Sequence, residues 1–493
     1  MKFVHKCLVP VCLIIMIAGF VIPLLPARAE TNIGTPDTSA IDAYLQEYVS
    51  TNHIPGVAVA VVQGDKVLLE KGYGDSVSGK PVTPQTQFYI GSVTKSFTAL
   101  AAMKLVEQGK LDLDAPVQKY LPEFKVDDPE ASSRITLRNL LNHTSGLVEK
   151  GDPNASAYTA SIEEQVTLMQ YVKPTYPAGT HYEYYNQNYR IVGRIIEKVS
   201  GKSYGDFVKD SILLPLGMTH TVTDPADAPN LAQGYSRFFS FPLPQTEKYI
   251  PGALPSGYLI TTAEDMSKYL IALINNRQLD GKPVLREDLL AEMRTPPSGI
   301  ESDYAMGWMS ADDGDTLIHG GAIHHFQAFV GMKLKEKTGF VTLYNQNSME
   351  NMMFENSTVN SDLLNFLGGK SPRAANNAWP GLVLLFLALA DMANHVRLFR
   401  MVPTWVERTA RQSRIWLWIK VAFGMVVPLL IVFGLPVLVN VFEGASPDWI
   451  EPFQLMPDIT IWLLAGSTLN FIRSLLHAIS LFRKPETFEE EKK

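Results

Sequence analysis

Apolar residues recur along this chain in different patterns, and each pattern predicts a different kind of element. In residues 37–51 they fall at helical spacing, which predicts an amphipathic helix. Residues 57–62, which are all apolar, and residues 67–72, which begin Val-Leu-Leu, flank a turn at Gly64 and predict a β-hairpin. Beyond residue 379 the apolar runs lengthen toward what a lipid bilayer requires.

The middle of the chain changes its periodicity twice. A helix is predicted from Val93 to Glu107, and mostly helical, loop-rich sequence continues to Pro251. Strand patterns return from Tyr304 to Asn345. A hairpin before and strands after a helical insertion predict an α+β fold, in which one antiparallel sheet is assembled from both ends, flanked by helices, with a helical lobe beside it. The site is expected between the lobes.

Composition divides the chain into segments, because it changes sharply near residue 370. The predicted segments are a signal peptide at 1–29, a globular domain at 30–368, a linker at 369–378, a transmembrane region at 379–482 with spans near 379–398, 416–440 and 459–480, and a cytoplasmic tail at 483–493.

The amino-terminal segment has the three parts of an export signal. Lys2 and Lys6 precede a long apolar run, and Ala27-Arg28-Ala29 offers a cleavage site. An uncleaved anchor is the alternative, and both place the globular domain outside the cytoplasm. Cys7 and Cys12 are the only cysteines, so the mature chain would have no disulfide, no thiol catalysis and no cysteine metal site.

Loop charges set the expected membrane topology. The first apolar run has only twelve residues before Asp391, so by length it could be interfacial. Residues 397–414 hold five arginines and one glutamate, whereas 443–458 hold four acids and no base. Three spans with the globular domain outside place the basic loop inside. Asp391, Asn394 and His395 fall near the inner end of the first span and are expected to snorkel toward the interface. A functional polar cluster is the alternative.

The best candidate for a reactive group is Ser92, which begins the one SxxK of the chain. If Ser92 opens a helix, Lys95 follows one turn later on the same face, where its amine can activate the hydroxyl. The N–H groups and partial positive charge of the helix start would stabilise an oxyanion. The competing interpretation is a capping serine beside a solvated lysine.

Two later motifs supply possible partners. Tyr184-Tyr185-Asn186 contains the one YxN, where a phenol of lowered pKa could relay protons and the amide could hold Lys95. The alternative is a loop tyrosine with an asparagine turn. His319 is followed by Gly320-Gly321-Ala322, whose glycines let a substrate lie close and whose N–H groups could complete an oxyanion hole. A structural turn is the alternative here.

Other chemistry finds less support. His324 and His325 are possible metal ligands, but no carboxylate cluster in the sequence has a matching spacing. We therefore expect neither metal nor cofactor. The net charge of -7 and the lack of a basic tract before residue 370 argue against a nucleic-acid partner. Lys337-Thr338-Gly339 spells a motif of many β-lactamases, yet it falls at the predicted polar tip of a hairpin and is rejected as a site element.

Taken together, the ordered motifs resemble those of class C β-lactamase-related serine hydrolases, penicillin-binding proteins and DD-peptidases. The resemblance covers residues from about 40 to 367 and includes Leu140-Leu141-Asn142-His143-Thr144-Ser145-Gly146-Leu147, Pro215-Leu216-Gly217-Met218 and Gly257-Tyr258-Leu259-Ile260-Thr261-Thr262. It implies that Ser92 is acylated, that Lys95 and Tyr184 are its base and proton relay, and that Asn186 binds the lysine and the substrate.

The resemblance also implies an oxyanion hole made by the N–H groups of Ser92 and Ala322, with His319 facing the substrate carboxylate or the Tyr184 phenol. Two residues depart from the usual pattern. Tyr185 replaces a small residue and is expected to narrow the cleft. His319 replaces the lysine of KTG, and a histidine is largely neutral at pH 7.

An HxG motif occurs in DD-carboxypeptidases, D-amino-acid peptidases and esterases of this family. The sequence therefore predicts an exported, membrane-anchored hydrolase of D-amino-acid-containing peptides or esters of the cell envelope. β-Lactam hydrolysis is the first alternative, and a non-catalytic envelope or regulatory protein that retains the fold is the second. Oligomeric state has no signature in the sequence.

Overall fold

The computed structural model describes residues 36–149, 152, 159–311, 313–348, 356–368, 379–437 and 449–482. The predicted signal peptide, linker and cytoplasmic tail lie outside these residues. The described strands are β1 Gly56–Gln63, β2 Lys66–Val77, β3 Lys80–Pro81, β4 Phe88–Tyr89, β5 Gly234–Phe238, β6 Phe241–Gln245, β7 Ile260–Thr261, β8 Tyr304–Ala305, β9 Trp308–Ser310, β10 Thr316–Ile323, β11 Phe326–Lys333 and β12 Thr338–Tyr344.

An antiparallel sheet of eight strands organises the domain, in the order β3-β2-β1-β12-β11-β10-β9-β8. The first hairpin joins the last strands through β1 and β12, which pair Val57 with Tyr344 and Gln63 with Thr338. The expectation of one sheet built from both ends of the domain is therefore confirmed. Two-stranded sheets pair β4 with β7 and β5 with β6.

Helices cover both faces of this sheet, which explains why β1 is apolar without alternation. Val57, Val59 and Val61 pack in one core, and Ala58, Ala60 and Val62 pack in the other. Helices in the described residues are α1 Thr38–Thr51, α2 Thr94–Glu107, α3 Pro129–Arg134, α4 Leu137–Leu141, α5 Ile162–Thr167, α6 Asn186–Ser200, α7 Tyr204–Val208, α8 Leu214–Leu216, α9 Leu254–Gly257, α10 Ala263–Asn275, α11 Glu287–Met293 and α12 Asn356–Leu367.

The C-terminal region follows with α13 Trp379–Arg400, α14 Trp405–Arg408, α15 Arg414–Leu429, α16 Ile450–Leu455 and α17 Pro457–Phe482. Three of its stretches, Gly381–Arg400, Arg414–Val437 and Pro457–Phe482, are long and apolar enough to cross a membrane. They agree with the predicted spans to within a few residues. The first stretch continues as helix well past its twelve apolar residues, so its length favours a span over an interfacial segment.

The polar residues of the first candidate span differ in burial, because the Asp391 side chain is 38% exposed whereas His395 is buried. Asp391 accepts a hydrogen bond from Trp462 Nε1 of α17 at 3.1 Å. His395, one turn later, is 3% exposed. Asp391 thus has a partner on a neighbouring candidate span, and the expectation that these residues snorkel toward the interface stays a prediction.

Candidate active site

Ser92 lies in a 3-10 turn, Gly91–Val93, that leads directly into α2. Gly91 has a φ of 49°. A Cβ on Gly91 would lie 2.3 Å from the backbone N of Ala322 in β10, so only glycine lets the two backbones approach. The serine is thus presented at a junction between the sheet and the buried helix α2, as the sequence predicts.

Lys95 is fully buried in the first turn of α2 and has three polar neighbours. Its Nζ lies 2.9 Å from Ser92 Oγ, 2.8 Å from Asn186 Oδ1 and 2.7 Å from the Ser256 carbonyl oxygen. Burial, assisted by the charge of Arg190, lowers the pKa of Lys95 well below its ordinary value. A buried amine of this kind favours its neutral form.

The contacts of Lys95 show how the hydrogen-bond donors of a neutral amine would be used, which is called the donor count below. A neutral amine has two N–H donors and one lone pair. Asn186 Oδ1 and the Ser256 carbonyl oxygen are acceptors only, so they take both N–H groups. The lone pair is then left for the Ser92 hydroxyl, which is the arrangement that a general base requires.

Tyr184 completes the group around the serine. Its hydroxyl hydrogen bonds to the Ser92 side chain, and Lys95 Nζ lies 4.9 Å from the centre of its ring. Burial raises the pKa of Tyr184, although the bond to Ser92 opposes this shift. The expectation of a lowered pKa is therefore wrong. The phenol stays protonated and can donate a proton, whereas Lys95 is the better base.

Asn186 and Tyr185 point in opposite directions at the start of α6. Asn186 begins the helix and turns its amide toward Lys95, as predicted. Tyr185 is 1% exposed, and its hydroxyl donates to Asp152 at 2.6 Å in the interior. The expectation that Tyr185 narrows the cleft is therefore wrong, because its backbone turns the ring into the core of the helical lobe.

His319 lies in the middle of β10 rather than at its end. Its Nδ1 lies 2.6 Å from the Gly320 carbonyl oxygen, and its Nε2 lies 3.1 Å from the Tyr304 hydroxyl. Because a carbonyl only accepts, Nδ1 carries the proton and Nε2 accepts from Tyr304. Burial lowers the pKa of His319 to about 3. The described contact of Nε2 is thus with Tyr304 and not with the Tyr184 phenol.

The residues after His319 bring β10 against the nucleophile. A Cβ on Gly321 would lie 2.0 Å from the Ile90 carbonyl oxygen and 3.0 Å from Ser92 N. At Gly320 the nearest atom would be 3.8 Å away, on Phe329. Gly321 is therefore required by close backbone approach, while Gly320 has room. Ala322 follows with its backbone N beside Gly91.

Three contributors to the site are absent from the sequence-based prediction. Ser256 acts through its backbone carbonyl, which leaves no side-chain signal. Tyr304 acts from the distant strand β8. His143 is 1% exposed, and its ring centre lies 4.4 Å from that of Tyr184 and 4.7 Å from that of Tyr304. His143 stands in a stretch that supports the family resemblance, and that was its only available signal.

One cluster in the described residues has the composition of a metal site. His220, Glu264 and Asp265 bring potential ligand atoms within 4.8 Å of one another. Lys268 Nζ, however, lies 3.1 Å from Glu264 and 2.9 Å from Asp265. Its ammonium group already supplies the positive charge that these carboxylates attract, so the cluster is an ion-pair network.

Together, the antiparallel sheet, the buried lysine and the serine at the helix start are the fold and the site arrangement of the β-lactamase type. Residues 41–363 match the β-lactamase family, and the chain belongs to that family.

Similar proteins agree with this assignment. A protein named flp from Staphylococcus aureus (strain COL) is 30% identical over 314 residues, which are 62% of this chain and 63% of that protein, so the chain spans less than two thirds of that relative's length. The octameric penicillin-binding protein homologue from Pyrococcus abyssi has a TM-score of 0.57 at 27% identity, covering 68% of this chain and 78% of that one. A class C β-lactamase has a TM-score of 0.56 at 25% identity, covering 65% and 94%. The family resemblance and the fold class are confirmed.

Proposed function

We propose that this chain is an exported, membrane-anchored serine hydrolase that forms an acyl-enzyme on Ser92 and acts on D-amino-acid-containing peptides or esters of the cell envelope. The observation that carries the proposal is the donor count at Lys95. When the amine is neutral, two acceptor-only oxygens take both of its N–H groups and its lone pair remains for the Ser92 hydroxyl. Membership of the β-lactamase family supports acyl transfer.

Acylation then follows from the geometry. Lys95 takes the Ser92 proton as Oγ attacks the substrate carbonyl carbon, and the N–H groups of Ser92 and Ala322 bind the resulting oxyanion. Tyr184 donates its proton to the leaving group and is reprotonated by Lys95 as the C–N or C–O bond breaks. The product of this step is an ester on Ser92. Water, activated by the same base, hydrolyses the ester and frees the serine.

His319 bears on the substrate class. A permanent cation at this position would attract the carboxylate of a β-lactam or of a free C-terminal D-amino acid. His319 is neutral, and its Nε2 lone pair is already occupied by Tyr304. This favours esters and D-amino-acid peptides whose binding does not depend on an ion pair with a substrate carboxylate at this position. β-Lactam hydrolysis is the second candidate, since a class C β-lactamase shares the fold at 25% identity.

The anchor supports a substrate fixed at the cell surface. With three spans, the arginine-rich loop at 397–414 lies in the cytoplasm and the acidic loop at 443–458 lies outside. The catalytic domain, which precedes the first span, is then extracellular. Peptide or ester substrate and the membrane are the proposed partners.

The proposal is tested with the full-length chain in detergent. It is incubated separately with p-nitrophenyl esters of D-amino acids, with D-alanyl-D-alanine peptides and with benzylpenicillin, while turnover and intact mass are recorded. We expect turnover of a D-amino-acid ester or peptide that Ser92→Ala lacks. Rapid penicillin hydrolysis without other activity would show that the chain is a β-lactamase, and the proposed substrate class would then be wrong. Equal turnover by Ser92→Ala would contradict the mechanism.

A further inference from the structure

The hairpin β5–β6 projects from the catalytic domain and has an unusual tip. Phe238 pairs with Phe241, so only Phe239 and Ser240 form the turn. Their φ angles are 47° and 71°. Tight hairpin turns of this kind favour asparagine and glycine, because a Cβ in the left-handed region is strained. A phenylalanine there persists only when its surroundings hold it in place.

The membrane helices hold this tip. The Phe239 backbone N–H donates to Asp458 Oδ2 at 3.1 Å, and Asp458 is the second residue of α17. Ser236 Oγ donates to the Gln454 carbonyl oxygen at 3.0 Å. A Cβ on Gly381, at the start of the first candidate span, would lie 2.1 Å from Ser240 Oγ. The turn therefore lies between the beginnings of the first and third spans.

These contacts place the hairpin turn beside the starts of two candidate spans, Gly381 and Pro457. The start of a span is where the chain enters the hydrocarbon core. Residues 238–245 read Phe-Phe-Ser-Phe-Pro-Leu-Pro-Gln and carry no charge. On β6, Phe241 is 54% exposed and Leu243 is 39% exposed. Residues two apart on a strand share one face.

We propose that the hairpin tip is a lipid-contacting element: Phe241 and Leu243 insert into the interfacial layer of the leaflet on the side of the catalytic domain. This face is uncharged, exposed, aromatic and aliphatic, and it lies next to the starts of two candidate spans. Bilayer lipid is the partner that fits such a face. An apolar edge strand left in water would instead be a site of association between chains.

The hairpin also connects to the active site. Glu247 follows β6 by two residues, and its carboxylate lies 3.3 Å from His324 Nδ1 and 3.0 Å from His325 Nδ1. These histidines form the turn between β10 and β11, directly after Ile323. Lipid contact at the tip thus sets the height and orientation of the cleft above the membrane, which suits a substrate held near the surface.

The test uses the full-length chain with Cys7→Ser and Cys12→Ser in lipid nanodiscs. A nitroxide is attached in turn to Phe241→Cys, Leu243→Cys and Val67→Cys, and its collision rates with oxygen and with a polar nickel chelate are measured. Val67, on β2, is 44% exposed and serves as the matched control. Melting temperatures identify any labelled chain that has lost its fold.

We expect residues 241 and 243 to show a several-fold higher ratio of oxygen to nickel collisions than residue 67, as in lipid. Equal ratios at all three positions would place the hairpin in water and overturn the proposal. Low collision rates with both reagents at 241 and 243 would place them against protein and would also overturn it. Each labelled position is an independent measurement, and neither depends on catalytic activity.

Discussion

Two segments of the sheet could be the third motif of this site, meaning the motif that follows SxxK and YxN in the chain, and they lie in different places in the structure. His319-Gly320-Gly321 lies within β10, and a Cβ on Gly321 would collide with the Ile90 carbonyl oxygen at 2.0 Å. Lys337-Thr338-Gly339 matches the KTG sequence of many β-lactamases but lies at the tip of the β11–β12 hairpin, where Lys337 has a φ of 52°. Thr338 pairs with Lys333, which pairs with Thr316 at the far end of β10.

The distance between the two segments follows from the register. From Thr316 to Gly321 is five residues along one strand, or about 17 Å. The hairpin tip is therefore remote from Ser92, and its lysine cannot serve the substrate there. The comparison teaches that a motif is assigned by the strand that lies against the nucleophile and not by its match to a sequence pattern. Variants in and around the two segments can test that conclusion, and the largest expected effect comes first.

Removal of the Lys95 amine is expected to have the largest effect. In Lys95→Met the Ser92 hydroxyl loses its base, so kcat/KM should fall about 100- to 10,000-fold. Lys337→Met is the matched control, because it removes a lysine from the other segment, and it should keep wild-type activity. Steady-state kinetics on the full chain, with melting curves for folding, would measure both. Similar losses in the two variants would remove the distinction between the segments.

The pH profile sharpens the same prediction. Burial lowers the pKa of Lys95, and only the neutral amine is a base, so kcat/KM should fall as pH falls through that pKa.

With a pKa of about 3, His319 stays neutral and adds no inflection between about pH 5 and about pH 9. His319→Gln should therefore lower the rate without moving the midpoint of the acid limb. A shifted midpoint would contradict the neutral state of His319.

Gly321→Ala tests the close approach itself. The added methyl would meet backbone atoms of Ile90 and Ser92, which cannot yield without moving β10 away from the nucleophile. Displacement of the Ala322 N–H should lower kcat about 100- to 1,000-fold. Gly339→Ala is the control, because its nearest neighbour is the flexible Ile274 Cδ1 at 3.2 Å. If both alanines were tolerated equally, the backbone contact would not be needed for catalysis.

These residues also show what sequence can and cannot predict. The SxxK spacing predicts the contact of Lys95 with Ser92, because helical geometry is local. The Asn186 contact was predicted from chemistry and motif order. The role of Tyr304 was not predicted, because its partner His319 is reached only through the pairing of β8, β9 and β10. The prediction that the Tyr185 side chain lies in the cleft is wrong. Its direction depends on the backbone conformation of one residue at the start of α6, which the sequence does not specify.

Tyr304→Phe is expected to have a smaller effect, since it removes one hydrogen bond and keeps the ring. His319 Nε2 loses its donor, and kcat/KM should fall about 3- to 10-fold. The pKa of His319 should rise, because the donated hydrogen bond favours the neutral imidazole. Tyr269→Phe is the matched control, since its buried hydroxyl bonds to Ser96 Oγ at 3.0 Å instead. Equal effects of both variants on the pH profile would contradict a positioning role for Tyr304.

Lys337→Gly is expected to have the smallest effect on catalysis and makes the comparison decisive. Lys337 is exposed at a positive φ, and its carbonyl oxygen accepts from Gly64 N at 2.7 Å, a bond that glycine retains. Glycine relieves the left-handed strain, so unfolding free energy should rise by up to about 1 kcal/mol. Activity should stay unchanged, as measured by kcat/KM beside the melting temperature. A clear loss of turnover in a fully folded variant would return Lys337 to the site, and the assignment of the third motif to His319 would then be wrong.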